Sequence, residues 1–237
     1  MAKIMKQPGT YLQQESSRSL LMNLLWVLLG GFLAIAVHPL LGLFLIPWAV
    51  TASRRYTRYK KGLAGEQEVS RTLMGLDDSY YIIHDASIPR ANIDHIVLGP
   101  NGIFVLETKH FSGWVKCEGD RWWVAPGPDG PILAIPKSPS LQAKRNALKV
   151  RERIREFEQS LLKDFPRVQW VHAMVVLSHP QVEVVFQSPA VLIVKVSELV
   201  EMIKTTPSPV NLPAPSLTKI GLALLGMRGR GALEERQ

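Results

Sequence analysis

The stretch IDHIVLGPNGIFVLETK (residues 93–109) decides the fold, because it predicts two strands joined by a tight Gly-Pro-Asn-Gly turn. On the second strand Glu107 and Lys109 are two residues apart, so both side chains leave the same face. A turn at Pro100-Asn101 places Asp94 opposite Glu107, whereas a turn at Asn101-Gly102 places Asp94 opposite Lys109. The two registers differ by an even step, so the three polar side chains share one face in both.

Two carboxylates on paired strands, as Asp94 and Glu107 would be, lie about 5 Å apart and repel each other unless something sits between them. A divalent cation is the natural candidate, and Lys109 would then hold a water or a phosphate oxygen beside it. An ordinary structural ion pair is the alternative that these residues alone leave open.

The composition narrows the class of protein. The chain has 237 residues and a formal net charge of +8, which suits a polyanionic partner or an anionic membrane surface, although basic residues beside a membrane anchor would give the same charge. The single cysteine, Cys117, excludes a disulfide framework and favours a reducing compartment. The six histidines show no ligand spacing, which argues against a Cys/His zinc site.

A long apolar segment precedes the rest of the chain. No Asp, Glu, Lys or Arg occurs from Ser19 to Ser53, and the apolar run from Leu20 to Ala52 is broken near His38-Pro39. We expect a membrane anchor here, as a helical hairpin or as one tilted helix with an interfacial extension, rather than a cleaved signal peptide. The basic residues that follow it predict that the remainder faces the cytoplasm, at a bacterial inner membrane.

Beyond Gly62 the pattern is that of an α/β domain, with a mixed sheet flanked by helices. A helix is predicted from Leu63 to Leu76 and a long amphipathic helix from Leu141 to Leu162. The predicted regions are a short basic segment (1–18), the anchor (19–53), a basic juxtamembrane linker (54–61), the domain (62–204), and a Pro-rich linker with a C-terminal tail (205–237).

Further polar residues fall at informative places on the two helices. Glu66 projects from the apolar stripe of the first helix, where a carboxylate is costly unless it is paired or bound to a metal, although an early-turn acid favoured by the helix dipole is an alternative. Gln142 and Asn146 lie one turn apart on the second helix. That helix also carries cations that could contact phosphates or form a solvated face; we expect contacts from Lys144, Arg145 and Lys149.

Several other conspicuous residues are expected to be structural. His95 should point away from Asp94, because adjacent strand residues face opposite sides. We expect His84 and His110 to be structural or exposed. Of Trp122 and Trp123, at least one should belong to the core, for the same reason of alternation.

The chain resembles the nuclease-related domain family, whose core is similar to the PD-(D/E)XK nucleases, over roughly Lys61 to Val196. The resemblance rests on a long, specific element, Asn92 to Lys109, and on three weaker ones in the expected order: Gly62 to Val69, Ser112-Gly113, and Ser138 to Ala143 leading into the basic helix. It implies a restriction-endonuclease-like core. The nuclease pattern of an acid on the first helix, an acid and then acid-x-lysine on a hairpin, and a glutamine on the next helix corresponds here to Glu66, Asp94, Glu107, Lys109 and Gln142.

What the resemblance implies is hydrolysis of phosphodiester bonds that depends on Mg²⁺ or Mn²⁺. Asp94, Glu107 and the backbone carbonyl of Thr108 would be metal ligands, and Glu66 would add a ligand or hold a metal-bound water. Lys109 would position the attacking water or stabilise developing charge, and Gln142 would orient a ligand or the phosphate. The expected substrate is nucleic acid, DNA rather than RNA. A membrane-anchored protein of the same fold that binds nucleic acid or acts as a scaffold without cutting is the second hypothesis.

Overall fold

A computed structural model describes residues 1–6, 18, 21–22, 25–32, 45–89, 91–127, 129–161, 170–207 and 211–226. The chain divides into two compact units, one formed by Met1–Pro8 with Gly65–Gln237 and the other by Gly9–Ala64. In the second unit, residues 25–32 and 45–64 are helical. The predicted break of the anchor at His38-Pro39 and the tail from Gly229 lie outside the described residues.

The larger unit contains two mixed sheets, and the predicted α/β class with helices flanking mixed sheets is confirmed. The six-stranded sheet has the order β1-β2-β3-β4-β8-β10, and the four-stranded sheet has the order β7-β6-β5-β9. The strands are β1 (Lys3–Lys6), β2 (Tyr81–Ile88), β3 (Ala91–Gly99), β4 (Gly102–Lys109), β5 (Gly113–Gly119), β6 (Arg121–Ala125), β7 (Leu133–Ala134), β8 (His172–Leu177), β9 (Val182–Pro189) and β10 (Leu192–Lys195). The helices are α1 (Leu45–Leu73), α2 (Pro139–Leu161), α3 (Leu199–Thr205) and α4 (Ala214–Leu224), with a 3-10 turn at Val196–Glu198.

The large sheet is buried on both faces, which explains the nearly continuous apolar runs in its central strands. Ile103 and Val105 of β4 belong to the core cluster that α2 and α4 cover, which includes Val150 and Ile220. Phe104 and Leu106 belong to the opposite cluster, together with residues of α1 and α3. A third cluster joins the inner face of the small sheet to α2 and β8.

Strand β1 and helix α4 lie outside residues 62–204 in sequence but pack on the same sheet. Strand β1 extends the large sheet by pairing in parallel with β2. Helix α4 buries Leu217, Ile220 and Leu224 against the core, and Gly221 of this helix lies so close to Met5 that a Cβ atom would overlap the Met5 thioether.

The first helix differs from its prediction. Helix α1 runs without interruption from Leu45 to Leu73, through the residues 54–61 that were expected to form a linker. No Gly or Pro occurs between Pro47 and Gly62, and Arg, Lys and Ala are good helix formers, so nothing in this stretch ends the helix. Among the helices in the described ranges, none combines the length and the apolar character that crossing a membrane requires.

Candidate active site

The register of the β3–β4 hairpin brings Asp94 and Glu107 together. Gly99 pairs with Gly102, so the turn is closed on Pro100-Asn101, the first of the two predicted registers. The same register, extended beyond the pair of His95 and Leu106, places Asp94 opposite Glu107. The backbone N–H of Thr108 donates to Asp94 Oδ2 at 2.7 Å, which fixes the carboxylate at the end of β4.

The Asn101 side chain in the turn holds the hairpin against the C-terminal end of α3. The Asn101 side-chain amide donates to the backbone carbonyls of Ile203 at 2.6 Å and Thr206 at 3.1 Å. The Tyr80 hydroxyl donates to the Asn101 side-chain oxygen at 3.1 Å. These contacts oppose a register slip, which would move the polar residues of β3 relative to β4.

Glu107 is the buried centre of the site, and two polar side chains donate hydrogen bonds to it. Glu107 is only 1% exposed to solvent. The Lys109 ammonium group donates to Glu107 Oε1, and the Asn146 amide donates to Glu107 Oε2 at 3.4 Å. Lys109 Nζ also lies 3.4 Å from Gln142 Oε1. The hairpin and the first two turns of α2 therefore meet at one point, and Gln142, which the family resemblance named, lies there.

Glu66 lies on α1, on the opposite side of the sheet from α2, and is near enough to Asp94 and Glu107 for their charges to raise its pKa. Its approach depends on the preceding residue, Gly65, which is buried. A Cβ atom at Gly65 would lie 2.5 Å from Ser178 Oγ and 3.2 Å from the Cβ of His110. Because only glycine fits, α1 packs directly on the ends of β4 and β8 and carries Glu66 to the site.

The electrostatics show that the acids are poorly compensated. Burial, reinforced by the charges of Asp94, Asp85 and Glu107, raises the pKa of Glu66 to about 9. Burial and then the charge of Asp94 raise the pKa of Glu107 to about 8, although Lys109 and Arg145 act in the other direction. Removal of the Asp94 carboxylate from water likewise raises its pKa, against the opposing effects of the Thr108 hydrogen bond and Lys109. The site would gain from an additional cation.

The site thus combines two acids and a lysine on a hairpin with an acid on α1 and a glutamine on α2. Comparison with known proteins shows which family has this chain's sequence pattern. Residues 61–178, about half of the chain, match the model of the nuclease-related domain. The chain belongs to the nuclease-related domain family. An uncharacterized protein of Bacillus anthracis is 39% identical over 77 residues, which cover 30% of this chain and 36% of that protein. The chain thus spans about a third of the length of that relative, and no solved structure matches it.

Sequence reasoning missed one acid of this nuclease-related domain, Asp85. The register of β2 and β3 places it opposite Asp94, between the pairs His84–His95 and Ala86–Ile93. Asp85 has a φ of 48°, in the left-handed region that is uncommon for residues other than glycine, and the ammonium group of Lys6 donates to its carbonyl oxygen. Its charge raises the pKa of both Glu66 and Asp94. The isolated sequence His84-Asp85 carries no signal, because only the pairing of the strands reveals the fourth acid.

Ser178 is a second residue that the sequence did not single out. Its backbone N–H donates to the Lys109 carbonyl oxygen at 3.0 Å, and its hydroxyl lies 3.0 Å from His110 Nδ1. It thereby fixes the backbone of Lys109 while forming the surface on which Gly65 packs. His110 has the structural placement that the sequence predicted.

The buried histidines lie on the α1 face of the sheet, away from Asp94 and Glu107. His84 Nδ1 and His95 Nδ1 are 2.9 Å apart, with Ser70 Oγ 3.4 Å from His84 Nδ1. Burial lowers the pKa of His84 to about 4, and burial with the charge of His84 lowers that of His95 to about 3. Both rings are therefore neutral packing groups on the side of α1, as expected for His95 from strand alternation.

The predicted basic residues of α2 have different surroundings. Lys144 forms an ion pair with Asp120 at 2.6 Å. Arg145 is exposed, and its charge lowers the pKa of Glu107, so it lies near the site. Lys149 is partly buried. The two tryptophans divide as predicted: Trp122 is buried and its indole N–H donates to Ser140 Oγ at 2.8 Å, whereas Trp123 is partly exposed.

The donor set fits a hard divalent cation. Asp94 and Glu107 offer carboxylate oxygens, and Thr108, which follows Glu107, offers a backbone carbonyl oxygen. These are the oxygen ligands that Mg²⁺ and Mn²⁺ bind. Within the described ranges, no three His, Cys, Asp or Glu side chains converge closely enough to form a metal cage by themselves. Mg²⁺ commonly retains several waters beside one or two carboxylates, so two acids and a backbone oxygen are compatible with it.

Proposed function

We propose that this nuclease-related domain protein is a nuclease that hydrolyses phosphodiester bonds of nucleic acid, with DNA as its substrate and Mg²⁺ or Mn²⁺ as its cofactor. The observation that carries the proposal is the meeting of Asp94, Glu107 and Lys109 at the ends of β3 and β4. The raised pKa values of Glu66, Asp94 and Glu107 support it, because a divalent cation would offset the repulsion between these acids.

In this proposal each residue has a definite task. Asp94 and Glu107, with the Thr108 carbonyl, hold the cation, which when bound polarises the scissile phosphate and lowers the pKa of a coordinated water. Asn146 keeps one oxygen of Glu107 oriented, since its amide donates to Oε2. Glu66 holds water at the edge of the acid cluster. Lys109 supplies positive charge where negative charge develops on the phosphate, and Gln142 orients the ammonium group of Lys109 through its side-chain oxygen.

The test uses the full chain with supercoiled plasmid, linear duplex, single-stranded DNA and RNA, each with Mg²⁺, with Mn²⁺ and with EDTA. Asp94→Asn, Glu107→Gln and Lys109→Met keep the size of each side chain and remove its charge. Lys116→Met, on the exposed face of β5, is the matched control for removal of a lysine charge. We expect metal-dependent cleavage that falls at least a hundredfold in the three site variants and is unchanged in the control.

Two outcomes would contradict the proposal. Cleavage that persists in EDTA, or that survives Asp94→Asn, would show that another site or a contaminant cuts the substrate. Metal-independent binding of DNA without cleavage on any of the four substrates would favour the silent nucleic-acid-binding protein instead. Titration of Mn²⁺ into the wild type and Glu107→Gln separates the two, because a silent binding protein need have no metal affinity that depends on Glu107.

A further inference from the structure

A cleft outside the acid cluster lies between α2 and the first residues of β8 and β10. Its volume is about 330 Å³, at the lower end of the range for small-molecule sites. The acids lie at the C-terminal end of β4, where it pairs with the last residues of β8, whereas this cleft lies at the N-terminal end of β8. The two sites share α2, which contributes Gln142 and Asn146 to the first and Lys144, Leu148 and Arg151 to the second.

The charged wall of the cleft has an unsatisfied donor. The Nε atom of Arg151 is buried and has no hydrogen-bond partner among the described residues. An N–H group buried without an acceptor is costly, by about 1–3 kcal/mol. Rotation of the Arg151 side chain toward the cleft, onto a bound anion, would give this group an acceptor and remove that cost. Lys144, on the same wall, already has a partner in Asp120. The guanidinium of Arg151, which suits a phosphate group, is therefore the cation that the cleft offers to an anion.

The opposite wall is aromatic and apolar. Trp170 is 64% exposed, which is unusual for so large a ring, and it contacts His172 edge to face at 6.4 Å between centroids. His172 in turn stacks on Phe104 at 4.9 Å and 17°, so a chain of rings extends from the core to the surface. Leu148 and Leu192, each less than half exposed, complete an apolar rim. An exposed indole and an arginine that line the same cleft match the flat π face and the phosphate of a nucleotide.

We propose that this cleft binds one unpaired nucleotide of the nucleic-acid strand, with its base against Trp170 and its phosphate on Arg151. The proposal rests on the nuclease function above and specifies the form of substrate: a single strand, or a duplex with an unpaired end. A cleft of this volume accommodates one base with its phosphate. A base can stack on Trp170 only when its face is not covered by neighbouring base pairs, so the cleft selects an unpaired base. Arg151 follows Gln142 by nine residues, or about 14 Å along the helix, roughly four nucleotide steps at the stacked spacing of about 3.4 Å.

The test measures binding without cleavage. The full chain, in EDTA, is titrated into a fluorescein-labelled deoxythymidine decamer, and the anisotropy gives Kd at several salt concentrations. Stacking of one base is worth about 1–3 kcal/mol, so Trp170→Ala should raise Kd about fivefold to a hundredfold, with Trp170→Phe in between. Arg151→Met should also weaken binding and should lower the slope of log K against log salt by about 0.7.

Matched controls exclude a general loss of charge or of aromatic surface. Arg155→Met removes an exposed arginine one turn further along α2, and Trp114→Ala removes a partly exposed tryptophan on the small sheet. Both should bind the decamer within about twofold of the wild type. A competing blunt duplex of the same length should bind more weakly than the single strand and should be insensitive to Trp170→Ala.

Three outcomes would overturn the proposal. Wild type that does not bind the decamer, or Trp170 and Arg151 variants that bind it like the controls, would exclude this cleft as the strand site. Binding of free thymidine monophosphate as tight as that of the decamer would identify a site for free nucleotides instead. Cleavage assays on the same variants keep the two proposals apart: decamer binding through Trp170 without metal-dependent cutting would retain the cleft and reject the nuclease. Metal-dependent cutting, with decamer binding that does not depend on Trp170 or Arg151, would retain the nuclease and reject the cleft.

Discussion

Replacement of Gly65 by alanine tests whether close packing of α1 positions Glu66. The added Cβ would lie 2.5 Å from Ser178 Oγ, about 0.9 Å short of the 3.4 Å at which ordinary contact begins. Ser178 Oγ is not free to move away, because it bonds with His110 and lies within 3.5 Å of the Lys109 carbonyl oxygen. The helix must therefore retreat by several tenths of an ångström, and Glu66 retreats with it.

The same helix supplies the control. Gly62 lies three residues earlier in α1, and a Cβ atom there meets nothing within 4 Å. Gly62→Ala should stabilise the protein by about 0.5–1 kcal/mol through helix propensity alone. Gly65→Ala gains the same propensity but also incurs the overpacking cost of about 1–3 kcal/mol, so the difference between the two variants isolates the clash.

Urea denaturation of the full chain measures the two free energies of unfolding, and the plasmid assay measures cleavage with Mg²⁺. We expect Gly65→Ala to be less stable than Gly62→Ala by about 1–3 kcal/mol and to cut about tenfold to a hundredfold more slowly, since a displacement near 1 Å can cost about a hundredfold. Gly62→Ala should cut like the wild type. Equal stability and equal cleavage in the two variants would refute the argument that glycine at position 65 places Glu66.

Three further predictions concern the acid cluster and the start of α2. In EDTA, the free energy of unfolding should fall as the pH rises from about 6.5 to 9, because Glu66 and Glu107 keep their protons in the folded chain and have lost them in the unfolded chain. Denaturant titrations at several pH values measure this fall, and a flat profile would contradict it. Asp85→Asn, which retains a residue tolerant of positive φ, should reduce that fall, whereas Asp129→Asn, an exposed acid, should not. Ser140→Ala should destabilise the chain by about 1–3 kcal/mol because it leaves the buried Trp122 indole N–H without an acceptor, and Trp122→Phe in the same background should recover part of the loss.

The sequence was sufficient where a local rule decides the geometry. The shared face of Asp94, Glu107 and Lys109 follows from strand alternation in both of the registers that the sequence allowed. The choice of the turn at Pro100-Asn101 came from the structure, and the sequence placed Gln142 only through the family resemblance. The division of Trp122 and Trp123 between core and surface follows from the same alternation.

The sequence was insufficient where distant segments meet. Strands β1 and β9 pair with strands that are distant in the sequence, and no local pattern indicates which strand each one pairs with. Asp85 became a member of the acid cluster only through the pairing of β2 with β3. The sequence predicts that α1 begins near Leu63, because the composition changes after the basic residues 54–61. Those basic residues are themselves good helix formers, so the helix begins earlier, at Leu45.

The acid cluster opposes the stability of the fold in the absence of a cation, and this opposition supports a binding role. Three acids with raised pKa values lie near Lys109, whose charge offsets them only in part. Their raised pKa values lower the free energy of unfolding as the pH rises from about 4.5 to about 9. The two buried histidines have the opposite effect on the pH dependence, because their lowered pKa values make the free energy of unfolding fall as the pH drops below about 6.5. A purely structural ion pair would not need Glu66 and Asp85 next to Asp94, since each added acid weakens it. A ligand that neutralises the cluster stabilises the folded chain by its own binding free energy, so Mg²⁺ or Mn²⁺ should restore the stability lost above pH 6.5, and Glu107→Gln should remove much of that effect.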